Sequence, residues 1–211
     1  ASGGHRLEPS MVGITAMSVF SDAHECKEIP YIAANLHDLL LPRQNQVWAV
    51  LSPELSVQET QYRLMAALLG RMCLSGDIVH LDAKQWIQVE EAVWFYQKVK
   101  SILKYGRTRL FREASDNQHY LYGAQVLVRE GENGELLLVC HAFAEPPKYL
   151  DGTLPPGRWR IRDRVGASCR VEIMEGNFRL HMGQAWEAFA LHMERERGYS
   201  FTDNHQASPY K

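Results

Sequence analysis

Short apolar runs alternate with stretches of helical periodicity along the first half of the chain, from residue 11 to residue 105. This alternation is typical of βα units, in which each strand of a parallel sheet is followed by a helix. We therefore expect an α/β arrangement in this half. The predicted strands are 14–20, 46–51 and 72–75, and the predicted helices are 30–41, 56–70 and 82–104.

Two of these helices carry a sequence signature at their first turn. Ser56 is followed three residues later by Glu59, and Asp82 is followed at the same spacing by Gln85. This pattern predicts a capping box, in which the two side chains satisfy backbone N–H groups that the first helical turn leaves free. Gly106 marks the expected end of the last helix.

The periodicity changes to two after Gly106. Short runs of this period, separated by Asn-Gly, Pro-Gly and Gly-Asn signals, are typical of antiparallel strands joined by tight turns. We therefore expect an antiparallel β-sandwich in residues 107–211, behind a different domain in residues 1–106. The predicted strands are 120–129, 135–144, 158–162, 169–174, 177–182 and 185–194.

The fold class that these patterns predict is α/β plus all-β: the last βα units of a TIM barrel, followed by the sandwich. A closed TIM barrel needs about eight strands, and the pattern provides three. The chain also opens on Ala1, with neither an initiator Met nor a signal-like apolar core. We therefore expect missing barrel strands upstream, and we expect the chain to be inactive as an isolated fragment.

Composition and charge restrict the partners. Lys and Arg number 23 against 25 for Asp and Glu, and no block of like charge occurs, so we expect no nucleic-acid partner. No apolar run approaches the roughly 20 residues of a membrane helix, so we expect no membrane partner. A neutral or small substrate fits this balance of charge, and a homo-oligomer is compatible with it.

The cysteines are spread along the chain without a CxxC pair. Reduced, buried thiols are the expected state for such spacing, and this state suits a cytoplasmic protein. The four residues are Cys26, Cys73, Cys140 and Cys169.

A glycine-rich segment near the start of the chain is the first candidate for chemistry. Ser2, Gly3 and Gly4 let the backbone approach a ligand, and Arg6 offers a fork of hydrogen-bond donors to hydroxyls or a carboxylate. A flexible loop or a remnant of cloning explains the same residues. A phosphate-binding loop is disfavoured because the Walker spacing and its Lys are absent.

Asp22 directly follows the first predicted strand. In barrel enzymes the catalytic residues lie at the carboxyl ends of strands, and glycosidic cleavage needs a carboxylic acid that protonates the leaving oxygen. Asp22 is therefore a candidate general acid/base, although an Asp at this position also caps helices. His24 stands beside it, but His24, Glu25 and Cys26 lack the spacing of a metal motif, so we expect no metal.

Other polar and aromatic residues admit simpler interpretations. Ser75 and Asp77 follow the third strand and are candidates to line a cleft, while Asp77 equally suits a turn. Trp48 lies inside a strand and is expected in the core. The aromatic residues of the last helix are assigned to core or interface packing; they are Trp86, Trp94, Phe95 and Tyr96.

Taken together, these segments resemble the α-galactosidases of glycoside hydrolase family 36. The resemblance is carried by 1–6, by Phe20-Ser21-Asp22, by the runs 32–37, 41–44 and 46–50, and by 70–77, which is similar to the family's final barrel strand. It covers most of residues 1–105. It implies that Arg6 and the backbone of 2–4 hold the substrate, and that Asp22 is the acid/base.

The activity implied by the resemblance is retaining hydrolysis of terminal α-galactosides without a cofactor. The nucleophilic Asp of the family lies on an earlier strand than any in this chain. His24 is assigned to substrate binding with Ser2, Gly3, Gly4 and Arg6. The alternative function is a non-catalytic carbohydrate-binding protein; in either case the expected ligand is an oligosaccharide or glycoside.

Overall fold

The computed structural model describes residues 9–19 and 26–196. The first half contains a small sheet of three strands in the order β1-β2-β3, and β2 pairs in parallel with both neighbours. The predicted parallel pairing is therefore confirmed. Within the predicted strand 14–20, only two of the described residues are in strand conformation. The strands are β1 (Ser18–Val19), β2 (Asn45–Leu51) and β3 (Arg71–Gly76).

Helices connect and follow these strands. The predicted helix 30–41 is shorter than expected, because it ends at Asn35 and tightens into a 3-10 turn. In the described part of the chain, none of the helices is long and apolar enough to cross a membrane. The helices are α1 (Pro9–Val12), α2 (Ile29–Asn35), α3 (Val57–Ala67) and α4 (Ala83–Tyr105), and the 3-10 turns are Leu36–Asp38 and Ile78–His80.

Both predicted capping boxes are confirmed. The Glu59 backbone N–H donates to Ser56 Oγ over 3.2 Å, and the Ser56 N–H donates to Glu59 Oε2 over 2.9 Å. Asp82 and Gln85 exchange the equivalent bonds over 2.8 and 2.9 Å at the start of α4. These bonds satisfy N–H groups that have no partner within the helix, which is why α3 and α4 begin where the sequence predicts.

Gly106 ends α4 as predicted, but it does so in extended conformation, with φ −67° and ψ 162°. The reason for glycine here is space. A Cβ at this position would lie 2.6 Å from the Ile102 carbonyl oxygen and 2.8 Å from that of Glu130. The chain therefore passes directly from the helix into the next strand against two main-chain neighbours.

The second half forms two antiparallel sheets, one of five strands and one of three. The large sheet has the order β4-β5-β6-β11-β8, and the small sheet has the order β7-β10-β9. The strands are β4 (Arg107–Ala114), β5 (Gly123–Glu130), β6 (Glu135–Ala142), β7 (Tyr149–Thr153), β8 (Trp159–Gly166), β9 (Val171–Met174), β10 (Asn177–His181) and β11 (Ala188–Arg195).

The large sheet is covered on both faces. Leu127 and Val139 belong to a core shared with α3 and α4, while Val126 and Leu138 belong to a core shared with the small sheet. Because side chains alternate across a strand, the central strands β5 and β6 are buried at almost every position. The parallel unit and the sandwich are thus joined through one continuous apolar layer.

The helix-facing side of the large sheet also carries buried polar groups. Arg129 is fully buried and donates from Nε to the Ile102 carbonyl over 3.2 Å and from Nη2 to the Leu103 carbonyl over 3.0 Å. It also donates to the Gly106 carbonyl and to the Thr108 hydroxyl. The Ile102 carbonyl also accepts the Gly106 backbone N–H over 2.8 Å, so the guanidinium adds a second donor there and provides donors for the Leu103 and Gly106 carbonyls at the C-terminal end of α4.

Two strands were not predicted. β4 has the sequence RTRLFREA, in which charged residues surround one apolar pair, so the alternation that signals a strand is absent. It lies at the edge of the large sheet, where such charges stay in water. β7 contains Asp151 and Gly152, which resemble a turn; the glycine is required because a Cβ would lie 2.3 Å from the Phe178 ring.

The assignment of Trp48 to the core was wrong. Val47, Ala49 and Leu51 of β2 face the helices and are fully buried, whereas Trp48 and Val50 are 39% and 37% exposed. Helices cover one face of the parallel sheet, and the alternating residues on the opposite face remain accessible. Of the helix aromatics, Phe95 is buried in the core, but Trp94 is 52% exposed.

Candidate functional site

The carboxyl ends of the parallel strands lie at one edge of the sheet, since β1, β2 and β3 all run in the same direction. Polar residues that follow parallel strands therefore converge there. Asp22 and His24 follow β1 but lie outside the described residues, as do Ser2, Gly3, Gly4 and Arg6. Their assignment to a substrate site stays a prediction.

Ser75 and Asp77 lie at this edge, as predicted for a cleft. Ser75 is paired in register with Val50, so its half-buried side chain lies on the accessible face of the sheet. The Asp77 backbone N–H donates to the Leu51 carbonyl over 2.8 Å, which joins the ends of β2 and β3. Asp77 Oδ1 lies 2.7 Å from His80 Nδ1, and both side chains are exposed.

Gly76 makes this turn possible. Its φ is +89°, in the left-handed region that side chains rarely adopt, and a Cβ would lie 2.2 Å from the Leu51 carbonyl oxygen. The backbone of β3 therefore turns tightly over the end of β2. This turn fixes Asp77 beside the residues that follow β2.

Glu54 is a further acidic residue at this edge, and the sequence analysis missed it. The Ser52 hydroxyl and the Glu54 backbone N–H hydrogen-bond its carboxylate and lower its pKa, while the nearby Asp77 charge works against them. Glu54 is therefore an ionised acceptor rather than a proton donor. The signal that singled out Asp77, a polar residue directly after a strand, was also present in Ser52-Pro53-Glu54.

The described part of this edge can thus bind hydroxyl groups through carboxylate and hydroxyl acceptors. Among residues 9–19 and 26–196, no group of three or more His, Cys, Asp or Glu side chains is placed to hold a metal ion. The acid/base chemistry that we predicted depends on Asp22, which this region does not include.

Comparison with known proteins identifies similar folds. No protein-family model matches the chain, and no curated protein matches it either. Among solved structures, it is similar to the family 36 α-galactosidase AgaA from Geobacillus stearothermophilus in complex with 1-deoxygalactonojirimycin, with a TM-score of 0.62 and 15% identity. That match covers 92% of this chain and 28% of the galactosidase.

Two further structures show the same likeness. The galactosidase domain of an α-galactosidase-sucrose kinase, AgaSK, matches 84% of this chain with a TM-score of 0.56 and 13% identity, over 26% of its own length. An α-amylase from H. orenii matches 90% of this chain with a TM-score of 0.52 and 8% identity, over 52% of its own length.

The chain spans little more than a quarter of the length of the galactosidases that it resembles. At these identities the comparisons concern the fold, which combines a few helices with mostly antiparallel sheets. The chain therefore has a glycoside-hydrolase-related fold, like that of the corresponding part of family 36 α-galactosidases.

Proposed function

We propose that this chain belongs to a retaining glycoside hydrolase that cleaves terminal α-galactosides. The observation that carries the proposal is the succession of a parallel β1-β2-β3 unit and an antiparallel sandwich, in a chain whose overall fold is similar to that of a family 36 α-galactosidase. Phe20-Ser21-Asp22 follows β1 directly in sequence, at the position where barrel enzymes carry catalytic groups. One of the similar structures is a variant of the galactosidase AgaA in complex with raffinose, which supports an oligosaccharide substrate.

In the proposed mechanism, a carboxylate on an earlier strand attacks the anomeric carbon while Asp22 donates its proton to the departing glycosidic oxygen. The C–O bond breaks and a covalent glycosyl-enzyme forms. Asp22, now ionised, takes a proton from water, and the resulting hydroxide displaces the enzyme carboxylate from the anomeric carbon. Retaining enzymes place their two carboxyl groups about 5–5.5 Å apart, and this requirement defines where the nucleophile must lie.

The remaining residues bind the sugar in this proposal. Arg6 and the backbone of Ser2, Gly3 and Gly4 contact hydroxyl groups, and His24 does so from beside Asp22. No cofactor takes part.

The decisive experiment is a leaving-group series on the Asp22→Ala variant of the whole protein in which these 211 residues occur. A good leaving group needs little protonation. The rate of hydrolysis by the variant should therefore fall about 10²–10⁴-fold for alkyl galactosides and far less for nitrophenyl galactosides. Azide should partly restore turnover of the nitrophenyl substrates, since it attacks the glycosyl-enzyme without needing a base.

The matched control is Asp151→Ala, which removes an exposed carboxylate that pairs with Arg179 in the small sheet. It should leave all the rates unchanged. Equal losses of Asp22→Ala activity across the series, no effect of azide and a much lower melting temperature would instead identify Asp22 as a helix cap.

A further inference from the structure

Two neighbouring cavities lie where the parallel unit meets the sandwich, and they share the side chains of Lys27 and Trp186. The first, of about 560 Å³, lies between Cys26, the N-terminal turn of α3 and residues 184–186. The second, of about 440 Å³, lies between Glu28 and residues 118–121. We refer to the pair as the Trp186 groove. Each volume is within the range of small-molecule sites, about 300–1,000 Å³.

Trp186 is held in an unusual backbone conformation, with φ 63°. The backbone N–H of Trp186 donates to the Ala142 carbonyl over 3.1 Å. Gln58 Nε2 donates to the carbonyl of the adjacent residue Ala185 over 2.9 Å. The Gln184 N–H donates to Glu187 Oε2 over 2.9 Å. Strain of this kind persists only where the surroundings fix it, and it clusters at ligand sites. The backbone that carries Trp186 is therefore fixed at the wall of the groove, and the indole itself is partly buried against the core.

Polar groups line the groove on both sides of this indole. Lys27 Nζ lies 4.4 Å from the centre of the Trp186 ring. In the second cavity, the largely buried Glu28 carboxylate lies 2.7 Å from His119 Nδ1, and the Tyr120 ring is 75% exposed beside them. Gln184 adds a neutral amide to the wall of the first cavity.

The charges at the centre of the groove balance. Lys27 and Glu28 are adjacent and carry opposite charges. In the first cavity, the Glu59 carboxylate accepts hydrogen bonds in its capping box, and the Arg63 guanidinium donates to the Val50 carbonyl over 2.7 Å. A strongly charged ligand gains little from such a surface. A ligand with apolar C–H faces and many hydroxyls gains both an aromatic wall and hydrogen-bond partners.

We propose that the Trp186 groove is a binding site for a neutral oligosaccharide. Two adjoining cavities that are both lined by Trp186 suit a ligand built of repeating units, with one sugar unit in each cavity. Glu28 and His119 hydrogen-bond hydroxyls of one unit, and Gln184 does so for the other. The argument for this site does not use the catalytic role proposed for Asp22.

The proposal can be tested by ¹⁹F NMR on the whole protein labelled with 5-fluorotryptophan and carrying Asp22→Ala to prevent turnover. The Trp186 signal is the one missing from the spectrum of the Trp186→Asn variant, since Asn tolerates the left-handed backbone. Titration with stachyose should shift this signal. It should leave unchanged the signal of Trp94, a more exposed indole that also has a lysine ammonium, Lys98 Nζ, 3.7 Å from its ring centre.

Affinity provides the second measurement. By calorimetry, Trp186→Asn should weaken stachyose binding at the groove at least tenfold, Trp186→Tyr should retain most of it, and Trp94→Ala should have no effect. Sucrose octasulfate should not compete. Stationary Trp186 signals at saturating stachyose, equal shifts of Trp94, or tighter binding of the sulfated sugar would each overturn the proposal.

The outcome separates this proposal from the proposed hydrolase. A Trp186 shift in a protein that shows no galactosidase activity would support the groove and reject the enzyme. Hydrolysis that depends on Asp22, without any shift of the Trp186 signal, would support the enzyme and reject the groove.

Discussion

Gly76 connects backbone conformation to the candidate site at the scale of a single residue. We expect Gly76→Ala to lower the free energy of unfolding by about 3 kcal/mol or more. The left-handed φ of +89° alone costs a non-glycine residue about 1–2 kcal/mol, and the added Cβ would lie 2.2 Å from a main-chain oxygen that cannot move aside without breaking the turn. Urea unfolding followed by circular dichroism measures the change.

Gly176→Ala is the matched control for this prediction. Its φ is +73°, but nothing lies within 4 Å of the added Cβ, so only the conformational cost remains. The expected loss is about 1 kcal/mol. If the two variants unfold at the same urea concentration, steric contact with Leu51 does not explain Gly76.

Residue-scale predictions from sequence succeeded where the cause was local. A capping box needs two side chains three positions apart, and both boxes formed as expected. The exposure of Trp48 depends instead on whether another layer covers that face of the sheet, which its neighbours in sequence do not determine. The left-handed conformation of Trp186 likewise results from bonds to β6 and α3, distant in sequence.

At the C-terminal end of α4, the Arg129 side chain of β5 donates hydrogen bonds to α4 and to the start of β4. Replacing Arg129 by Met gives a side chain of similar length but removes the guanidinium donors to the Leu103 and Gly106 carbonyls, while the Ile102 carbonyl keeps the Gly106 backbone N–H as a donor. Because a buried polar group without a partner costs about 1–3 kcal/mol, we expect Arg129→Met to lose about 3 kcal/mol or more. Urea unfolding measures this, and amide exchange should accelerate most in the last turn of α4.

Arg170→Met is the comparison for that experiment. Arg170 pairs with Glu172 over 3.0 Å, but its side chain is 74% exposed, so its removal should change stability by no more than about 0.5 kcal/mol. Arg129→Lys should recover only part of the loss, since an ammonium lacks the planar fork of donors. Equal effects of the two Arg→Met variants would contradict a capping role for Arg129.

Element-scale predictions succeeded for segments with strong periodicity, as in β2, α3 and α4. They failed for β4, whose charged residues suit a sheet edge, and for β7, whose Asp151 and Gly152 pair with a neighbouring strand instead of turning the chain. Both segments are strands because they pair with a neighbouring strand, which the local sequence pattern does not indicate.

At the scale of the whole molecule, the sequence predicted a parallel unit followed by a sandwich, because each half carries its own period. How closely the two halves join was not predictable, since it depends on which face of the large sheet the helices cover. The candidate site was predicted only in outline: Ser75 and Asp77 lie at the expected edge, while the placement of Asp22 and of the glycine-rich segment stays a prediction.

The joined core also predicts how the molecule responds to acid. Burial lowers the pKa of His37 from 6.5 to about 4, against a hydrogen bond to the Leu69 carbonyl, and burial lowers the pKa of His141 to about 3. Both rings are therefore neutral in the folded protein at pH 7 and remain so to well below pH 6.5. In the unfolded chain both bind a proton near pH 6.5, so the unfolded state takes up more protons as the pH falls.

The free energy of unfolding should therefore be nearly independent of these two histidines above about pH 6.5. It should fall steadily as the pH drops towards 4 and then 3. At pH 5 each histidine accounts for a loss of about 2 kcal/mol, because one pKa unit corresponds to about 1.4 kcal/mol. Hydrogen-bonded carboxylates with lowered pKa values, such as Glu59 and Glu194, add to this loss only at lower pH, near their own ordinary pKa values.

Urea unfolding at pH 7, 6 and 5 can separate these contributions with the variant His141→Phe. The variant keeps an aromatic ring against Tyr62, which the native imidazole meets edge to face at 5.1 Å, but it cannot titrate. Its loss of stability between pH 7 and pH 5 should be smaller than that of the parent by about 2 kcal/mol, whatever its stability at pH 7. Because the comparison uses the slope with pH and not the absolute stability, altered packing of the new ring does not affect it. Parallel slopes for variant and parent would show that His141 takes up no more protons in the unfolded chain than in the folded protein, and would contradict its burial as a neutral ring.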